Sequence, residues 1–251
     1  MEMAEEYGRE YFESYVERYK ASRYDLRRMS MVLSWLAPQA GDRVLDLGCG
    51  VGEYSSRIRQ TGAMVTSVDF SAHALAIGRQ VQDTPSLVQA DACRLPFGDE
   101  LFNKVIAVEL IEHVENQDAL FSEFSRVLAS GGLLLLTTSP IASSFFFAFV
   151  QRHRGSRLVQ AFIRPYDVSA AKHVRLQHPR ILVQRLRDHG FEVANERYWN
   201  AFHLSYFLSR TSVRPLRRTW RASCVLDRVF ATSSLCNDVV VLAKKNAKPL
   251  Y

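Results

Sequence analysis

Val44-Leu45-Asp46-Leu47-Gly48-Cys49-Gly50-Val51-Gly52 is the stretch whose reading decides the fold. Val44, Leu45 and Leu47 form the short apolar run of a buried parallel strand, and the glycines end it. A helix opens directly behind, at about Glu53, so its unpaired N–H groups and partial positive charge face whatever sits over the turn. Glycines at 48, 50 and 52 leave the backbone bare, and a ligand can press against it. A pyrophosphate-binding turn reads G-x-G-x-x-G, but here the position of its third glycine is Glu53, a poor neighbour for phosphate. Asp46 adds a carboxylate two residues before the first glycine. An acid-lined glycine turn suits a ligand carrying positive charge, an ammonium or a sulfonium.

Working outward, strand one covers 43–48 and a helix follows over about 53–61, stopped near Gly62. Strand two, Met64 to Asp69, ends in an acid seventeen residues past Gly52. That distance suits a βαβ unit whose second strand offers a carboxylate to two sugar hydroxyls. Ser71 can cap a helix over about 72–82, and strand three, Ser86 to Ala90, delivers Asp91-Ala92. Asp46, Asp69 and Asp91 thus fall at the carboxyl ends of three successive strands, where open α/β sheets bind ligands. Strand four ends at Val108 before Glu109-Leu110-Ile111-Glu112-His113-Val114; a helix runs from about Gln117 to Leu128, ended by Gly131-Gly132; and Leu133 to Thr138 is a buried fifth strand.

The D-x-G-x-G-x-G run resembles the first motif of the class I S-adenosylmethionine-dependent methyltransferases, and E-x-x-E-H-V resembles a variant found in their small-molecule, quinone and lipid-type branch. The likeness covers about 40 to 139. It departs at Asn103, where the family has an acid, and at Ala129-Ser130, where Lys-Pro is usual. The resemblance implies an α/β fold: a doubly wound, Rossmann-like, seven-stranded and mostly parallel sheet with an antiparallel last strand. It implies S-adenosylmethionine as methyl donor and S-adenosylhomocysteine as product. The cofactor residues it implies are Asp46, Gly48, Cys49, Gly50, Gly52, Asp69, Phe70, Asp91, Ala92, Glu109 and, from the N-terminal helices, Tyr19. Asp91 would lie beside the adenine amine, Glu109 beside the methionine ammonium, and His113 on the substrate side.

For the flanks, a helical pattern runs from Glu5 to Lys20 and another from about Asp25 to Leu36. Residues 1–38 are expected as a helical lid and 39–251 as the methyltransferase domain, with substrate-side insertions at about 140–177 and 199–232. A helix from Pro179 ends at Gly190, Phe191 to Tyr198 is strand six, and Asn237 to Ala243 closes the sheet antiparallel; the tail from Lys244 reads as disordered.

Methyl transfer from a sulfonium is an in-line displacement, and orientation supplies much of its barrier lowering, ~7–11 kcal/mol. If the acceptor is a hydroxyl, a general base adds about 10²–10⁴-fold. His113 is the first candidate and His173 the second, because histidine titrates near working pH; a packing role for His113 in a short helix stays open. No metal is expected, since His173 and His178 have no nearby carboxylate cluster.

Net charge is +6, but residues 1–150 carry −7 and residues 151–251 carry +13. The basic half, with its aromatic-plus-arginine segment 199–221, suits an anionic membrane surface or an acidic small molecule; attraction to the acidic half is the plainer account. A recognisable nucleic-acid motif is lacking, so nucleic acid is disfavoured. The acceptor expected is small and hydrophobic or lipid-like, with O-methylation favoured. A protein or RNA acceptor, or a non-catalytic cofactor-binding scaffold, are the alternatives. Four cysteines without C-x-x-C spacing and an N-terminus lacking an apolar core point to a reduced cytoplasmic setting, with peripheral contact at the inner membrane surface.

Overall fold

The computed structural model describes residues 23–81, 86–138, 179–201 and 236–247, together with positions 152 and 225. In chain order these form α1 (Arg23–Leu36), β1 (Arg43–Leu47), α2 (Glu53–Arg59), β2 (Met64–Asp69), α3 (Ala72–Val81) and β3 (Leu87–Gln89). Then come β4 (Phe102–Val108), a 3₁₀ turn (Ile111–His113), α4 (Gln117–Val127), β5 (Leu128–Thr138), α5 (Pro179–Asp188), β6 (Phe191–Ala201) and β7 (Cys236–Lys245). The seven strands make one sheet in the order β3-β2-β1-β4-β5-β7-β6. β1 to β5 run parallel, and β7 is antiparallel to both β5 and β6. This is the doubly wound sheet the glycine stretch implies, with the order reversing at β1.

Both faces of the sheet are covered, and the period-two alternation of the strands shows it. Leu45, Leu47, Val105, Ala107, Leu134 and Leu136 face Phe121 and Phe124 of α4 and Leu182 and Leu186 of α5. The residues between them, Val44, Ile106 and Leu135, face the other way, toward Val32 and Leu36 of α1 and Ile58 of α2. α1 therefore belongs to the core. Its stripe Tyr24, Arg28, Val32 and Leu36, one residue in four, is buried throughout. Tyr24 also stacks on Trp199 of β6 (centroids 4.6 Å apart) and donates to Asp238 of β7 at 2.5 Å.

Three boundaries differ from the sequence reading. β5 starts at Leu128, which pairs with Phe102 of β4; the pairing resumes at Lys104 with Leu133, so Gly131-Gly132 sits in an irregularity within the strand. β6 continues to Ala201, taking three residues from the expected 199–232 insertion. The tail expected to be disordered from Lys244 is strand as far as Lys245: Lys244 pairs with Leu133, and the Lys245 amine donates to the Leu128 carbonyl at 2.7 Å. Tyr19, Tyr11, His173 and nearly all of both insertions lie outside the described residues.

Candidate functional site

The site is built at the carboxyl ends of β1, β2 and β4. The turn after β1 is stitched to the tip of β2: the Gly48 and Cys49 amides both donate to the Val68 carbonyl, at 2.8 and 3.0 Å, and the Gly50 amide donates to Asp69 Oδ2 at 2.8 Å. Gly48 has φ +72°, and a Cβ there would stand 2.9 Å from Leu110 Cδ1. Only glycine lets the turn lie that close to the segment after β4.

The three strand-end acids differ in setting. Asp46 is 2% exposed, beneath the turn, and accepts from Ser55 Oγ of α2 at 2.6 Å. Burial pushes its carboxyl up to about 6, opposed by the Ser55 hydrogen bonds and reinforced by the charge of Asp69. Asp69 is half-buried and accepts from the Gly50 and Ser71 amides, both at 2.8 Å. Burial again raises its pKa, against those amide bonds. With the Phe70 amide also acting on it, the carboxylate has acceptor capacity to spare for a ligand hydroxyl. Asp91 is exposed and holds its own turn through the Cys93 amide at 2.8 Å. Phe70, beside Asp69, presents an unusually exposed ring (49%), and Ala92 is half-buried. Cys49 is no nucleophile: burial, then Asp46 and Asp69, push its thiol well up.

Glu109 follows β4 with φ +52°, a left-handed conformation for a residue that is not glycine. It is held there from β5: its amide donates to the Thr137 carbonyl at 3.0 Å, and Thr137 Oγ1 donates to Glu109 Oε1 at 2.8 Å. The second oxygen, Oε2, faces Arg28 Nη1 of α1 at 3.4 Å. Arg28 also donates to Asp25 through Nη2 at 3.1 Å, while its buried Nε has no hydrogen-bond partner among the described residues. Glu112 is 1% exposed and accepts from Thr138 Oγ1 at 2.8 Å. Burial, and then the charge of Glu109, hold its proton far above the usual carboxylate range. His113 is half-buried in the 3₁₀ turn, which Gln117 braces through the Ile111 carbonyl at 2.9 Å.

The fold thus brings the β1, β2 and β4 tip residues of the sequence reading to one edge of the sheet. Arg28 was not anticipated. Its signal was a charge placed on the apolar stripe of a helix, at the i+4 position from Tyr24. Ser55 and Ser67 were missed too, and two serines carry no pattern that would have singled them out. Among the described residues, no group of three or more His, Cys, Asp or Glu side chains is arranged to hold a metal ion.

Acids around a bare turn, with one buried guanidinium beside them, offer both signs of charge. A zwitterionic amino acid bearing a further positive centre fits that set; a pyrophosphate does not. The comparisons agree. Residues 45–136 match the family model described as a methyltransferase domain. The methyltransferase GfsG of Streptomyces halstedii is 36% identical over 104 residues, covering 39% of this chain and 37% of that protein. The demethylmenaquinone methyltransferase of Clavibacter sepedonicus is 39% identical over 113 residues, covering 42% and 46%. The chain therefore spans less than half the length of either relative. Among solved structures, geranyl diphosphate C-methyltransferase from Streptomyces coelicolor superposes with a TM-score of 0.63 at 16% identity, over 89% of this chain and 78% of that one, and shares the fold. Residues 45–136 are thus similar to a methyltransferase domain, and the sheet around them has the Rossmann-like fold of methyltransferases of solved structure.

Proposed function

We propose that the protein moves the methyl group of S-adenosylmethionine to a small, hydrophobic or lipid-like acceptor, at an oxygen atom. The observation that carries the donor side is the pairing of opposite charges around one glycine turn: Arg28 for the donor's carboxylate, and Glu109 with the buried Asp46 for its ammonium and sulfonium. Asp69 takes the ribose hydroxyls through its spare lone pairs. Asp91, Phe70 and Ala92 meet the adenine, Phe70 with an exposed ring face. Gly48, Cys49, Gly50 and Gly52 supply the backbone against which the donor lies, and Tyr19 is a further candidate for contact with it.

The acceptor enters on the His113 side. In the transfer, the acceptor oxygen forms a bond to the methyl carbon as the carbon–sulfur bond breaks, and the hydroxyl proton passes to the His113 imidazole; His173 is the second candidate. The chain itself positions donor and acceptor and excludes water, which is where most of the barrier lowering comes from. A hydrophobic acceptor is supported by the name of one relative, a demethylmenaquinone methyltransferase. The basic C-terminal half supports delivery from an anionic membrane surface; no helix among the described residues is long and apolar enough to cross a membrane.

Calorimetry with S-adenosylhomocysteine and with NAD tests the donor: the first is expected to bind and the second not, and the reverse result removes the proposal. His113→Ala is expected to slow turnover about 10²-fold or more with S-adenosylhomocysteine affinity kept; equal turnover removes the base. Flotation with anionic liposomes at low salt tests the membrane part, and protein left at the bottom of the gradient discards it.

A further inference from the structure

Beneath the glycine turn, Ser55 and Ser67 are both fully buried, and their hydroxyl oxygens lie 2.6 Å apart. Ser55, on α2, donates to Asp46 Oδ2 at 2.6 Å; Ser67, on β2, is the cross-strand neighbour of Asp46 in the β1–β2 register. Three elements are therefore tied at one point by a chain of oxygens. A hydroxyl has one hydrogen and two lone pairs, so it can donate to an ionised carboxylate or accept from a neutral one without moving. Among the described residues, the groups that act on the charge of Asp46 include no cation. From β2 come the Ser67 hydroxyl and the charge of Asp69, a second acid; from the turn comes the Cys49 thiol, held neutral. From β4 the neighbour in register is the apolar Ile106.

We propose that Ser55 is a positioning residue of the cofactor site: locked between Asp46 and Ser67, it presents a buried carboxyl that gives up its proton to solvent when the cationic donor settles on the turn. This rests on the donor reading above. The carboxyl ionises around pH 6 in the ligand-free protein, and a sulfonium nearby favours the ionised form, so binding and proton release are linked. The Ser55 hydrogen bonds favour ionisation, so removing them moves the linkage to higher pH.

The test is titration calorimetry of the full chain with S-adenosylmethionine and with S-adenosylhomocysteine, near pH 6, in two buffers of different ionisation enthalpy. Wild type is expected to release a fraction of a proton, more with the sulfonium than with the thioether, and its affinity to fall toward about tenfold per pH unit on acidification. Ser55→Ala should shift that fall to higher pH, and Ser55→Thr, which keeps the hydroxyl, should restore it. Asp46→Asn should abolish the release. Binding without proton release, or release undiminished in Asp46→Asn, overturns the proposal while leaving the donor reading intact. Absence of binding even at alkaline pH overturns both.

Discussion

Two halves of the site handle negative charge in opposite ways. At the tips of β1 and β2, Asp46 and Asp69 are met by hydroxyls and backbone amides; burial disfavours both ionised forms, and the charge of Asp69 adds to that at Asp46. At the tips of β4 and β5, Glu109 meets a guanidinium brought in by α1, and burial, then the charge of Glu109, push the pKa of Glu112 beside it upward. The first half is negative ground awaiting a cation; in the second Glu109 is already paired with Arg28, whose Nε has no hydrogen-bond partner among the described residues. A ligand that satisfies both must carry positive charge for the first, and an ammonium and a carboxylate together for Glu109 and Arg28 of the second. That difference, more than the glycines alone, separates a sulfonium amino acid from a dinucleotide.

The largest effect is expected from breaking the neutralised half. Arg28→Gln leaves Glu109 and Asp25 without their guanidinium in a buried setting, and removing one partner of such a pair costs ~3–5 kcal/mol of stability. Chemical denaturation reads the loss, and calorimetry should show S-adenosylhomocysteine bound at least about tenfold more weakly. A change below ~1 kcal/mol in stability would make Arg28 an onlooker.

The same operation in the other half should act with the opposite sign. Asp46 has a folded-state pKa raised from the ordinary 3.8 to about 6. Its contribution is therefore present below the unfolded value and lost as pH rises through about 6, so at pH 7 and above the carboxylate burdens the empty protein. Asp46→Asn is expected to stabilise the ligand-free protein by up to roughly 3 kcal/mol at pH 8 and by little at pH 4, while weakening donor binding. Destabilisation at pH 8 would contradict the storage of unpaired charge. A smaller effect comes from the turn joining the halves. Gly48→Ala places a Cβ at φ +72° and 2.9 Å from Leu110 Cδ1, costing roughly 1–2 kcal/mol from the backbone alone. Adding Leu110→Ala should relieve only the steric part, and full recovery in the double variant would mean the backbone is not strained.

How far the sequence revealed this depended on whether a feature was local. The apolar runs of β1, β4 and β5, the glycine turn with Asp46 two residues before it, and the acids that end the next two strands are each written in short contiguous runs, and the sheet followed from them. Arg28 reaches Glu109 only because α1 packs across the sheet onto β5 and β7, and its one local sign was a charge on the apolar stripe of the helix. Ser55 and Ser67 meet only when α2 folds back over β1 and β2. Lys244 and Lys245 look like a solvated tail by composition, yet the amine of Lys245 finds the Leu128 carbonyl, 117 positions away in sequence. That bond is possible only because β5 begins early. In each case tertiary pairing overrode a local signal.

The acids and the guanidinium around the glycine turn are set to read both signs of the donor's amino-acid end. Calorimetry comparing S-adenosylhomocysteine with its decarboxylated analogue on the wild-type protein measures this directly. The expected result is a loss of about 10–100-fold on removal of the carboxylate, the worth of a hydrogen bond to a charged group, with that loss shrinking in Arg28→Gln. Equal affinity for the two ligands would contradict it.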